Sequence, residues 1–273
     1  MGKKVIYGSE MIRDFCRLTG DSNRIHDGNF MHNLEPSKQI IVPGLMVLSG
    51  FGSITEPADF PSVNYWNVNF RGFFNEGDEA DLSIRNDEGD GLLIAKNLSS
   101  EGNDVFYSES SKSFRCDVTI YRDPIEGAKA NILADFQEMD DFGKLMGVDH
   151  RGLRNSLFGL SLASRVLLGM IETPTNDAEK ELSELYKRDV KRSVPVYTDI
   201  NVFFPSGDKE TSIMPGKDLS FSVESEKIDR KNYSIKVDCS QDSFPIYMAD
   251  FKLVVMREDV LIRGAKESVV EDN

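Results

Sequence analysis

Histidine, cysteine and tryptophan are scarce in this chain, and each scarcity closes off a class of function. The 273 residues hold three histidines, three cysteines and one tryptophan. Cys16, Cys116 and Cys239 are odd in number and far apart, which fits reduced thiols rather than a disulfide framework. No Cys/His spacing suits zinc, and so few histidines leave little for any metal site, so neither metal nor cofactor is expected. Positive charge is in deficit: 32 Lys and Arg against 46 Asp and Glu leave a formal net charge of −14. That balance argues against nucleic acid and against an anionic membrane surface as partners, while leaving room for a local basic patch that holds an anionic ligand. Long apolar runs are also missing, and nothing approaches the roughly 18 residues of a membrane span. Lys3 and Lys4 are not followed by the apolar region of a signal peptide, and the acidic ending Val270-Glu271-Asp272-Asn273 is not the Ser-Lys-Leu of peroxisomal import. The expected location is the cytoplasm.

What the chain does have is enough apolar content, 40%, for a real core. Its length allows one large domain or two of about 130 residues. The order of elements reads twice. Ile12, Phe15 and Cys16 mark a short amphipathic helix, and a second, apolar helix runs from Gly44 to Ile54 and stops before Pro57. Alternating segments come next at Val63–Phe74, Asp81–Ile84, Leu92–Ser99 and Val105–Tyr121, separated by turns such as Asn75-Glu76-Gly77-Asp78. In the second half, Ile132-Leu133-Ala134-Asp135-Phe136 echoes Met11–Phe15, and Phe158-Gly159-Leu160-Ser161-Leu162 echoes Pro43–Val47. Strands are predicted at Val196–Phe204, Asp218–Lys227, Tyr233–Ser240 and Phe244–Met256, with an extra solvent-facing helix over Lys180–Lys191. This pattern predicts an α+β double hot-dog: a unit at 1–121, a linker at 122–130, and a second unit at 131–273. A single irregular α+β domain is the alternative.

One stretch carries chemistry. In Phe15-Cys16-Arg17-Leu18-Thr19-Gly20-Asp21-Ser22-Asn23-Arg24-Ile25-His26, an Asp and a His flank one short polar loop and can together grip a single water and move its proton. Downstream, Ile41-Val42-Pro43-Gly44-Leu45 opens the apolar helix, whose first backbone N–H groups have no partner inside the helix. Acid–base groups beside a helix N-terminus point to a carbonyl compound as substrate.

Those residues resemble the signature of MaoC-like dehydratases, the (R)-specific enoyl-CoA hydratase or hydratase 2 family: aromatic, aliphatic, small, then Gly-Asp-x-Asn-Pro-aliphatic-His. The match is carried by Phe15, Leu18, Thr19, Gly20, Asp21, Asn23, Ile25 and His26, with Arg24 in the place of Pro and Pro43 in the place of a His before the helix. It covers roughly Ser9–Phe114, and the second half lacks the motif, since Asp149 and His150 are adjacent. The resemblance therefore implies one active site per chain, carried by 1–121, with 131–273 as scaffold and acyl pocket. The resemblance implies reversible addition of water across a trans-2-enoyl thioester to give the (R)-3-hydroxyacyl product. Asp21 would be the base, His26 the complementary proton-transfer and water-orienting group, and Asn23 the loop anchor. The Gly44 amide would bind the thioester oxygen. A hot-dog thioesterase and a non-catalytic acyl-thioester binding module are the competing readings.

Further candidates are weaker. Ser49 and Ser53 lie on the central helix as thioester contacts or as small packing residues, and Gly50 and Gly52 provide either close packing or room for an acyl chain. Tyr65 and Trp66 line the acyl pocket or belong to the core. Arg24, Lys38, Arg71, Lys112 and Arg115 are candidate contacts for CoA phosphates, and His32 and His150 read as solvated loop residues. The expected partner is an acyl-CoA. An acyl carrier protein, being acidic, would require a basic docking patch. One chain already supplies the pairing that single hot-dog proteins gain by dimerising, so monomer and homodimer are both compatible.

Overall fold

The computed structural model describes residues 2–34, 39–54, 65–70, 72–87, 90–99, 104–111, 125, 127–188, 193–204 and 213–257. The first half runs β1 (Gly2–Ile6), α1 (Ser9–Thr19), a 3-10 turn (Arg24–His26), α2 (Gly28–Leu34), α3 (Gly44–Gly50) and a second 3-10 turn (Phe51–Ser53). It then forms β2 (Tyr65–Phe70), β3 (Glu79–Asp87), β4 (Asp90–Asn97) and β5 (Asp104–Ser111). The second half runs β6 (Ala128–Leu133), α4 (Phe136–Met146), α5 (Arg151–Ser161), α6 (Ala163–Glu172), α7 (Asp177–Arg188), β7 (Ser193–Phe203), β8 (Asp218–Lys227), β9 (Asn232–Gln241) and β10 (Phe244–Arg257).

The ten strands among the described residues form one antiparallel sheet in the order β1-β3-β4-β5-β2-β7-β10-β9-β8-β6. The order is mirrored about the β2/β7 pair, so the two halves are copies of one five-stranded unit joined edge to edge. This is the α+β double hot-dog. Strict alternation drives it: in β9 Tyr233, Ile235, Val237, Cys239 and Gln241 face inward and their neighbours do not. The helices lay their apolar stripes on the inner face, and one buried cluster runs through both halves.

The two copies align more tightly than the sequence pattern suggests. Helices α1 and α4 have equal length and end alike, at Gly20 (φ +68) and Gly147 (φ +68). The buried stripe Ile12, Phe15, Thr19 corresponds to Met139, Phe142, Met146. Phe142, not Phe136, is therefore the counterpart of Phe15, and the two rings touch at 6.0 Å. The expected echo over Ile132–Phe136 instead spans the end of β6 and the start of α4. There Asp135 is a helix cap accepting from Glu138 N at 3.0 Å, and Phe136 is 59% exposed. Strands β1 and β6 are not evident from the sequence pattern, and β6 begins inside the expected linker.

The Phe158–Leu162 segment also sits differently from its expected counterpart. It ends α5 rather than opening a central helix, and Leu162 keeps the chain helical into α6. Close neighbours explain the helical glycines, since a Cβ on Gly52, in the 3-10 turn after α3, would lie 2.7 Å from Val148 Cγ2 and 2.9 Å from Leu157 Cδ1 of α5. Gly50 likewise faces Leu82 and Tyr7. Close packing, not room for an acyl chain, is their reason. No single helix among the described residues is long and apolar enough to cross a membrane, although the bent pair Arg151–Glu172 and Asp177–Glu184 is by length and composition.

The extra helix α7 is not simply solvent-facing, because Glu179, Leu182 and Ser183 are buried. Glu179 closes a capping box: its carboxylate accepts from Thr175 N (2.6 Å), Thr175 Oγ1 (2.8 Å) and Asn176 N (3.3 Å), while Asn176 Oδ1 accepts from Glu179 N (2.9 Å). Glu179→Ala removes the cap from an exposed Thr175 and a half-buried Asn176, whose donors water can still reach. Chemical unfolding should show a loss of about 1 kcal/mol, without loss of the sheet signal in circular dichroism.

Candidate active site

Helix α1 must stop in the left-handed conformation, and at Gly20 it does so against another wall. A Cβ there would lie 2.6 Å from Arg165 Cδ on α6. Only glycine meets both demands, and the chain leaves it aimed so that Asp21 is buried at 7% exposure. The loop after Asp21 is held by its own polar side chains. Asp21 Oδ1 accepts from Asn23 N (3.1 Å), Asn23 Oδ1 caps the 3-10 turn through Ile25 N (3.5 Å), and Asn23 Nδ2 donates to the Pro195 carbonyl of β7 (2.9 Å). The loop is also tied to the segment before α3, since Ile41 N donates to Ile25 O at 3.0 Å. That segment is fixed in turn by Val42 N donating to Phe74 O (2.8 Å) and Glu76 N donating to Ile40 O (2.7 Å). The Asn75–Asp78 turn holds its shape because Asp78 Oδ2 accepts from Asn75 N (2.8 Å) and Asn97 Nδ2 (2.7 Å).

These ties bring Asp21 and His26 together. His26 Nδ1 lies 2.6 Å from the Ile41 carbonyl, which can only accept, so Nδ1 carries a proton and donates it. In the neutral ring Nε2 is then the lone-pair nitrogen. It faces Asp21 Oδ2 across 3.8 Å. That gap is too wide for a direct hydrogen bond and suits one water bonded to both groups.

The pair stands where two chambers meet, because Asp21, Asn23 and His26 line both. The inner chamber, about 50 Å³, is mainly apolar and includes Val47, Phe70, Phe74 and Tyr197. The outer one, about 650 Å³, is larger and mixes polar side chains (Ser9, Arg13, Asp27 and Asn29) with apolar surface, Cys16 and Ile40 included. The inner chamber exists because the central strands part. β2 pairs with β7 from Tyr65↔Phe203 to Asn69↔Asp199. Past that point β7 continues to Ser193 with no pairing to β2 among the described residues, and its register against β10 shifts at Thr198. Phe70 and Phe73 line one side of the opening, and Pro195, Val196 and Tyr197 line the other.

Of the expected site residues, Asp21, Asn23, His26 and Gly44 converge on the inner chamber. Gly44 is the first residue of α3, where an N–H has no intrahelical acceptor. Its missing side chain is explained by Phe70, whose Cε1 would lie 2.6 Å from a Cβ. Four others are elsewhere. Ser49 donates to Leu45 O (2.7 Å) and faces Ser161 Oγ (3.4 Å) at the α3–α5 contact. Ser53 donates to Gly50 O (2.8 Å) and accepts from Lys3 Nζ (3.1 Å). Trp66 is a core residue, 1% exposed, edge-on to Phe204. Arg24 stacks its guanidinium 5.1 Å from the Phe30 ring centre and lines neither chamber. Lys38, Arg71, Lys112 and Arg115 lie outside the described residues, as does the side chain of Tyr65. His32 is exposed on α2. His150 is not a solvated loop residue but the cap of α5, with Nδ1 accepting from Leu153 N at 3.3 Å.

Sequence reasoning missed Ser9, Arg13 and Cys16, which line the outer chamber. Their i, i+4, i+7 spacing on a predicted helix was the available signal. It also missed Tyr197, which no local pattern reveals. The Tyr197 hydroxyl lies 3.1 Å from Ser164 Oγ, and burial first, then the negative charge of Asp21, pushes its phenol well above the ordinary value.

No protein-family model matches the sequence, and no curated protein sequence matches it. Solved structures do. A MaoC-like dehydratase superposes with a TM-score of 0.55 at 12% identity, over 93% of this chain and 97% of the other. A putative MaoC domain protein dehydratase from Chloroflexus aurantiacus J-10-fl gives 0.59 at 10% identity, over 93% of each chain. A MaoC-like dehydratase from Phytophthora capsici gives 0.55 at 10% identity, over 92% and 94%. The chain therefore shares the fold of MaoC-like dehydratases.

Cys16 reports on the site. Burial, and secondarily the charge of Asp21, raise its thiol pKa well above the ordinary range, so at neutral pH it stays protonated although it lines the outer chamber. Alkylation of Cys16 by iodoacetamide at pH 8, followed by peptide mass spectrometry, should be slower than that of a free thiol. Asp21→Asn removes the second cause, lowers the thiol pKa and should speed the reaction.

Proposed function

We propose that the chain catalyses reversible hydration of a trans-2-enoyl thioester to the (R)-3-hydroxyacyl thioester. The observation that carries this reading is the Asp21–His26 pair, facing across 3.8 Å at the junction of two chambers with the imidazole tautomer fixed by Ile41. A thioester laid through the junction keeps its carrier in the larger outer chamber, beside Ser9, Arg13 and Asn29, and its acyl group in the inner one. A water held between Asp21 Oδ2 and His26 Nε2 then meets the substrate double bond.

In this reading Asp21 takes one proton from the water as its oxygen bonds to Cβ. Electrons of the double bond move onto the thioester oxygen, where the Gly44 amide stabilises the developing enolate. His26 holds the new hydroxyl while the proton on Asp21 passes to Cα on the same face, so the addition is syn and Asp21 returns to its starting state. Asn23 is the positioning residue, since its two side-chain bonds lock the loop to its own turn and to β7. Arg24 in the place of a proline is compatible with this role: the turn is capped by Asn23, and Arg24 rests on Phe30. Arg13 is the cation at hand in the outer chamber for the phosphates of a CoA or of a carrier's pantetheine arm.

Crotonyl-CoA should lose its enoyl absorbance on incubation with the protein and give the (R)-3-hydroxy product. Asp21→Asn should lower kcat by about 10²–10⁴-fold with the circular dichroism spectrum unchanged. Release of free CoA at a rate matching substrate loss would replace the hydratase reading with thioester hydrolysis. A wild-type rate retained by Asp21→Asn would remove the proposed base.

A further inference from the structure

A one-residue bulge in β7 turns a tyrosine of the second half toward the site. Ile200 and Val202 are buried on the inner face, so strict alternation would send Val196 inward and Tyr197 outward. The pairing with β10 breaks that alternation. Asp199 faces Lys252 and Tyr197 faces Leu253, which leaves Thr198 over. One extra residue exchanges the two faces beyond it. Tyr197 therefore joins the inner face with the buried Leu253 and Phe251, while Val194 and Val196 turn to the loop and pack with Ile25, Met31 and Ile41. We propose that Tyr197 is a further catalytic residue: its hydroxyl donates a hydrogen bond into the inner chamber, to the water oxygen held between Asp21 and His26. This rests on the reading of Asp21 and His26 as the reacting pair.

Ser164 sets the direction of the tyrosine proton. Tyr197 Oη and Ser164 Oγ lie 3.1 Å apart and share one hydrogen bond, so one of their two protons is left over. Ser164 is buried on α6. Ser49 and Ser156 donate to the carbonyl four residues back, at 2.7 and 3.1 Å, whereas Ser164 is bonded only to Tyr197 among the described residues. Were Tyr197 the donor, the serine proton would be stranded in packed core as an unsatisfied buried group. Ser164 therefore donates to Tyr197, and the phenol proton is left for the chamber that Tyr197 lines with Asp21 and His26. Burial, then the charge of Asp21, keeps the phenol protonated, so it acts as a donor and not as a base. The Phe251 ring at 5.4 Å holds the phenol ring in place. The water has a lone pair to spare: it donates to Asp21 Oδ2 and His26 Nε2 and spends its other lone pair on Cβ. In hydration the phenol bond keeps the water in line with Cβ, and in dehydration it stays on the departing oxygen. Tyr197 exchanges no proton, so the balance of the reaction is unchanged.

Tyr197→Phe removes the hydroxyl and keeps the ring. With crotonyl-CoA its kcat should fall by about tenfold, while KM moves by less than about twofold. Ser164→Ala should lose less. The double variant should be no slower than Tyr197→Phe alone, since the serine acts only through the phenol. Circular dichroism should show the wild-type fold in all three. A wild-type kcat in Tyr197→Phe, with hydration by the wild type established, would overturn the donor role and leave the hydratase reading intact. Losses that multiply in the double variant would overturn the assigned order of Ser164 donating to Tyr197 donating to the water. Should Tyr197→Phe fail to fold, Ser164→Ala decides, and a wild-type kcat there overturns the proposal. Absence of hydration by the wild type would overturn the reading and this role together.

Discussion

The pairing of β2 with β7, and the point where that pairing stops, is the constraint on which the rest of the molecule depends. Each half ends in a strand whose outer edge would otherwise be unpaired, and joining the edges turns two five-stranded sheets into one. The join is incomplete by construction. From Asn69 and Asp199 onward the strands separate, and the gap admits the inner chamber, the Asn23–Pro195 bond and the buried face of the loop that carries Asp21. A seam zipped to its end would have left a continuous sheet and no such chamber.

The apolar face of the loop shows the same dependence. Ile25, Met31 and Ile41 form a small buried cluster with Val194 and Val196, the part of β7 that β2 does not reach. Apolar burial and one side-chain amide therefore dock the loop on the second half. His26 owes its orientation to Ile41, and Asn23 to Pro195. Neither half builds this arrangement alone, so the second half is part of the site's framework and not only a backing for the sheet.

Much of this was legible in the sequence where the signal was local. The alternation in β8 to β10 and the apolar run from Gly44 gave those elements nearly to the residue. The loop motif named Asp21, Asn23, His26 and Gly44, and all four line the inner chamber. Where two readings stayed open the reason is shared: residue type alone does not give direction. Ser49, Ser53 and Trp66 have suitable chemistry on suitable elements, and Ser49 faces α5, Ser53 meets Lys3 of β1 and Trp66 lies in the core. Strand β1, with the pattern Gly-Lys-Lys-Val-Ile, is an exposed edge and offers little alternation to detect. Tyr197 enters the site only through a long-range strand pairing, which no single sequence displays.

Helix α4 ends as α1 does, but the chain beyond it takes another course, and the difference is built into the contact between the halves. The position matching Asp21 is Val148, 1% exposed, and the chain then enters α5 through the His150 cap instead of forming a loop. Val148 is the surface against which Gly52 of the first half packs. An acid at that position would sink an unpaired carboxylate into the contact between the halves. The inequality of the halves is thus tied to their cohesion: where the first unit carries a buried acid, the second carries a residue that the first unit leans on.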